Sequence, residues 1–205
     1  MINLKSLTTA AFASAALVGV AHAATIDVTT GTDTVVVGDT FEVRLDFSAD
    51  ESAEFLFQAI ADFTYDADLF SFVGADFVDP ATNQNQLDLT DSSGGFDVIE
   101  VSDGTLEIDA LSADPFDVLL EEQADDFTFV TLTFTADQVG TGDLGLGAFF
   151  EFLFANEGDF QTAEFFEADV LNALVAIDVQ PVPLPGAAVF LLTGLAGIAA
   201  RRRMA

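Results

Sequence analysis

The chain has 205 residues with 35 Asp and Glu, 5 Lys and Arg, one His, and no Cys or Trp, for a formal net charge of −30. At roughly 100–200 residues per domain, this is one folded domain with terminal extensions. Too few cations are present to neutralise a phosphate backbone, so no nucleic acid is expected as a partner, and the lack of Cys removes disulfides, thiolate nucleophiles and thiolate metal sites.

In chain order, residues 1–23 read as a secretory signal peptide. Lys5 supplies the positive start, Leu7 to Val20 an Ala-rich apolar stretch, and Ala21-His22-Ala23 the small-x-small pattern before a cleavage site. Cleavage falls between Ala23 and Ala24. It removes the only His, and with it any His-based triad or His-ligated zinc.

All 35 carboxylates then lie within residues 24–180, where Arg44 is the one basic residue. This body alternates apolar and polar residues with the period of strands. Strands are expected at 25–29, 34–37, 40–47, 55–65, 69–77, 96–101, 104–111, 126–134, 143–154 and 170–179. Turn signals separate them, among them Gly38-Asp39, Asp66-Ala67-Asp68, Asp103-Gly104 and Gly140-Thr141-Gly142. Residues 114–125 read as a short helix or a loop, and Pro115 suits a first helical turn. So many short strands predict an all-β fold, an antiparallel β-sandwich or jelly roll.

Phenylalanine dominates the expected core, with 22 Phe against one Tyr. Phe buries a large apolar area with no polar group to satisfy. Phe41, Val43, Leu45 and Phe47 face inward by alternation, as does the stripe Phe149, Phe150, Phe152 and Phe154. Phe165-Phe166 sits in a polar stretch and is not assigned. Arg44 alternates with core residues, so it points outward to an acidic neighbour in a structural ion pair.

The C-terminal 181–205 form a tail. Pro181, Pro183 and Pro185 end regular structure. Residues 186–200 carry no charge, and with Val182 and Leu184 they approach the roughly 20 residues of a membrane span. Arg201, Arg202 and Arg203 then hold the C-terminus in the cytoplasm, with the body outside the inner membrane.

The order Val182-Pro183-Leu184-Pro185-Gly186, apolar helix, Arg201 to Arg203 resembles the PEP-CTERM class of sorting tails in its Val-Pro-Leu-Pro-Ala variant. Gly186 stands where that variant has Ala, a small-for-small change. The resemblance implies an exosortase-type membrane protease as processing partner. It also implies routing to the cell envelope, cell surface or extracellular matrix of a Gram-negative bacterium. In the body, Val35-Val36-Val37-Gly38-Asp39-Thr40-Phe41-Glu42-Val43 and the run from Phe63 through Tyr65-Asp66-Ala67-Asp68-Leu69 to Ala75 resemble two landmarks of cohesin-like β-sandwich domains. That likeness implies the fold rather than dockerin binding.

Three uses of the charge stay open. It is a solvated acidic surface that keeps molecules apart; or it binds calcium through oxygen-rich loops at 62–68, 76–79 and 88–97; or a carboxylate pair hydrolyses glycans. Calcium is the one possible cofactor. Its candidate ligands are Asp66, Asp68, Asp91 and Asp97, with no fixed EF-hand spacing. Glycan hydrolysis lacks the Trp and Tyr platforms that usually stack on sugar. The resemblance of the tail implies a non-enzymatic exported protein, structural or adhesive, with extracellular polysaccharide or surface proteins as partners. A calcium-dependent binding module is the alternative, and a glycan-active enzyme the third.

Overall fold

Alternating apolar and polar residues build two facing sheets. The computed structural model describes residues 24–50, 54–156, 163 and 165–183. The expected signal peptide, with Ala23, lies outside them, as does the tail from Leu184 on, with Pro185, Gly186, Arg201, Arg202 and Arg203. The strands are β1 (Thr25–Thr30), β2 (Thr34–Val36), β3 (Thr40–Ser48), β4 (Phe55–Tyr65), β5 (Phe70–Asp76), β6 (Gly95–Ser102), β7 (Thr105–Leu111), β8 (Asp126–Ala136), β9 (Gly140–Ala155), β10 (Phe165–Glu167), β11 (Asp169–Asn172) and β12 (Leu174–Gln180). The open alternative at 114–125 resolves as a helix, α1 (Phe116–Glu122), with Pro115 at its N-cap.

The small sheet has the order β11-β1-β3-β8-β5. The large sheet has the order β2-β12-β9-β4-β7-β6, with β10 also paired to β9. Pairing is antiparallel with two exceptions, since β11 runs parallel to β1 and β12 parallel to β2. Both exceptions belong to the region expected as one strand at 170–179. The chain instead pairs with β1 through residue 172, changes sheet at Ala173, and continues on β9. A backbone bond from Leu146 N–H to the Ala173 carbonyl (2.7 Å) holds the crossing. Changing sheets puts one short stretch of chain at the edge of the small sheet as β11 and between β2 and β9 in the large sheet as β12.

The core fills as alternation demands. Phe41, Val43, Leu45 and Phe47 of β3 are buried against Phe127, Val130, Leu132 and Phe134 of β8. A bulge opposite Leu45 and Asp46 adds Phe129 as an extra residue, so Phe129 and Val130 are both buried, and Phe129 packs edge-on against Phe152. Each such side chain contributes about 1.5–3 kcal/mol when fully buried.

The Phe stripe of β9 departs from the expected core. Phe152 and Phe154 are buried, but Phe149 and Phe150 are half exposed. A register shift sets residues 147–149 opposite Asp62 alone, while β12 covers β9 only up to Gly145 and β10 only from Leu153. Among the described residues, the stretch between has no neighbouring strand on that side. The unassigned Phe165-Phe166 pair forms β10. Phe166 stacks on Phe154, and Phe165 packs against Phe57 and Phe116 of the minor core around Leu119.

Two buried carboxylates organise the long connection from β5 to β6. Asp79 accepts bonds from the Thr82 N–H and hydroxyl and from the Thr128 N–H of β8. Asp114 accepts from the Leu89 N–H (2.6 Å) and from the Thr90 and Ser92 hydroxyls. Burial opposes both charges, but these donors outweigh it and hold both carboxyls below the usual carboxylate range. Thus Asp79 and Asp88, both within the oxygen-rich loops, serve as internal acceptors; Asp88 takes the Ser92 N–H at 2.7 Å.

Candidate functional site

Three surfaces carry chemistry. The outer face of the small sheet comes from the outward positions of β1, β3 and β8. Thr29 and Thr131 flank Arg44, and Thr133 lies opposite Glu42. Arg44, the one cationic side chain among the described residues, donates to Glu42 at 2.9 Å, and both stay substantially exposed. The neighbouring Asp46 accepts from the Thr29 and Thr128 hydroxyls, each at 2.6 Å. This face is rich in hydroxyls, and its charges have partners.

The outer face of the large sheet is different. Register places Glu151, Ile60, Asp109 and Asp97 in one row across β9, β4, β7 and β6. The next row sets Asp62 opposite Glu107 and Glu107 opposite Ile99. Asp97 faces Asp109, and Asp62 faces Glu107, as directly opposed like charges. Ile99 and Leu111 stand exposed among them. The face is acidic with separate apolar side chains.

The third surface is a cleft of about 620 Å³ at one end of the sandwich, between edge strands β5 and β6. The turn from β4 to β5 contributes Asp66 and Asp68, and the turn from β6 to β7 contributes Asp103 and Gly104. Gly104 takes φ +79°, and a Cβ there would lie 2.7 Å from the Tyr65 carbonyl oxygen, so glycine is needed for this approach. Phe70, Ser71 and Phe72 line the β5 side. Glu100 lies on the β6 side, where alternation with Phe96 and Val98 turns it inward, and it accepts the Tyr65 hydroxyl. Burial, then the Glu100 bond and charge, push the Tyr65 hydroxyl up to about 12.

The four candidate calcium ligands do not meet. Asp66 and Asp68 share the cleft, and an Asp66 carboxylate oxygen accepts the Asp68 N–H at 3.0 Å. Asp91 lies in the loop before β6 with φ +52°, and Asp97 lies on the outer face of the large sheet. Among the described residues, no group of three or more His, Cys, Asp or Glu is arranged to hold a metal ion. Ala24 is fully buried at the start of β1, and its carbonyl accepts the Asp169 N–H at 2.8 Å. Val182 and Pro183 follow β12, with Val182 exposed. The Tyr65–Glu100 pair escaped the sequence reading, although the signal was present: a Glu at an inward position of an alternating strand.

No family model and no curated protein matches the chain. Solved cohesin structures do. The seventh ScaB type I cohesin of Pseudobacteroides cellulosolvens superposes with a TM-score of 0.54 at 14% identity, covering 79% of this chain and 96% of that one. A type II cohesin domain from the cellulosome of Acetivibrio cellulolyticus gives a TM-score of 0.56 at 11% identity, covering 76% and 95%. A type I cohesin of Clostridium thermocellum, solved in complex with a dockerin, gives 0.52 at 15% identity, covering 77% and 99%. At these identities the likeness is one of fold: an all-β, cohesin-like sandwich.

Proposed function

We propose that the protein is a non-enzymatic, exported envelope or matrix component whose sandwich binds a protein partner through the outer face of the large sheet. The observation that carries this reading is the mixture on that face: exposed Ile99 and Leu111 among the carboxylates of Asp62, Asp97, Glu107 and Asp109. Apolar anchors in a charged surround suit a partner that is apolar at its centre and basic at its rim. The cohesin-like fold supports a binding role, because one such structure was solved with a dockerin bound. The signal-peptide and sorting-tail patterns support export, followed by processing near Pro185 by an exosortase-type protease.

Two measurements test it. A photoreactive residue at Leu111, in the producing cell, should crosslink to a discrete partner, whereas one at Thr133 on the opposite face should not. Equal crosslinking from both faces would refute a dedicated surface. The intact mass of the native protein should lack both ends. A chain ending at Ala205 and found only in membranes would refute the sorting reading.

A further inference from the structure

We propose that the flank between β5 and β6 is a second binding site, for an extended basic segment of a partner protein. That segment adds as a strand to the free edge of β6 and places a Lys or Arg side chain in the Tyr65 cleft. The site is separate from the outer face of the large sheet and stands or falls on its own test.

Three observations converge. First, β6 is the outermost strand of the large sheet, eight residues long, with no Pro or Lys to block pairing. Every second backbone N–H and C=O of an edge strand points away from its neighbour and is open to another strand. Ile99 and Val101 are more than half exposed along it, and among the described residues no strand pairs beyond it. Strand addition is a recurring way to bind peptides, with backbone bonds giving affinity and side-chain pockets giving specificity.

Second, the cleft opens beside this edge, and β6 itself supplies one wall through Glu100. The Tyr65 hydroxyl uses one acceptor position of Glu100, of about four that a carboxylate offers. Asp103 lies across the tight turn, and Phe70 and Phe72 give the pocket an apolar side. A Lys or Arg side chain has both parts this pocket matches: an alkyl stem for the phenylalanines and a cation for the carboxylates.

Third, charge selects the partner. A second copy pairing edge to edge would bring another chain of net charge −30 against Asp97 and Glu100. Like-charge repulsion disfavours it. A basic strand is attracted to the same edge and is steered there.

The test uses the full-length chain in detergent and a fluorescent peptide of about ten alternating Thr and Lys residues, with a Thr-Glu peptide as control. Anisotropy at about 0.15 M salt should show binding of the Lys peptide only. Replacing Glu100→Gln together with Asp103→Asn should weaken it by about tenfold or more, as expected for losing charge-assisted bonds. Glu121→Gln with Glu122→Gln, two exposed carboxylates at the end of α1, removes the same charge elsewhere and should change it by about twofold or less. Hydrogen exchange on the unaltered chain should slow at residues 95–102 when the Lys peptide binds. That readout does not depend on the variants folding.

Equal losses from the two double variants would reduce the effect to net charge and overturn the site. Unchanged exchange at 95–102 would overturn strand addition. If the peptide binds only after Arg201, Arg202 and Arg203 are replaced by Gln, the occupant is the chain's own tail, and the partner assignment fails. None of these outcomes bears on the crosslinking at Leu111.

Discussion

The two outer faces of the sandwich use the same acid in opposite ways. On the small sheet, Asp46 is held by two threonine hydroxyls, and Glu42 has Arg44. On the large sheet, Asp97 faces Asp109 and Asp62 faces Glu107 across neighbouring strands. The first face stabilises its own sheet. The second stores repulsion that a basic partner, or salt, would relieve. Carboxylates that oppose one another are available to something else; Glu151 on the same face differs, since it accepts from the Gln58 amide at 2.7 Å.

The buried carboxylates mark the far limit of the first behaviour and give the largest expected effect. Asp114→Ala strands three donors and should cost about 3 kcal/mol in urea unfolding. Because the folded carboxyl titrates below its usual range, its contribution is present above the ordinary Asp pKa and lost as pH falls through the lower folded value. Stability should therefore drop below about pH 4, less steeply in the variant. An unchanged acid limb would show that Asp114 does not carry it.

Asp46→Ala comes next, at about 2 kcal/mol destabilising, since two charge-assisted hydroxyl bonds are lost. A neutral result would erase the contrast between the faces. On the large sheet the sign reverses. Asp97→Asn with Asp109→Asn should stabilise by about 1 kcal/mol at low salt, and the gain should vanish at high salt. Thermal melts at two NaCl concentrations decide it; a gain that persists at high salt would point to something other than repulsion. Arg44→Gln should be smallest, within about 0.5 kcal/mol, because its ion pair with Glu42 is exposed. A larger loss would mean that Arg44 does more for the small sheet than that pair.

Much of this was legible in the chain. The alternation of Thr40 to Phe47 names the buried face of β3 residue by residue. Turn residues such as Gly38-Asp39 and Asp103-Gly104 mark real reversals, with both glycines at positive φ. What escaped depends on register. Phe149 and Phe150 read as core because alternation carries no record of a bulge or of a missing neighbour. Residues 170–179 read as one strand because nothing local distinguishes a strand that stays in its sheet from one that changes sheet at Ala173. The calcium candidates were drawn from loops rich in Asp, and local richness does not say which loops converge.

By itself, then, the sequence determined the sandwich, its phenylalanine core and its one-sided charge. These follow from residue periodicity, side-chain volume and ionisation, which are local properties. Only the tertiary structure decided which carboxylates oppose one another, that Glu100 meets Tyr65 at the mouth of a cleft, and that β6 is left as an open edge. Those are relations between strands distant in the chain, set by register and closure, and no single segment encodes them.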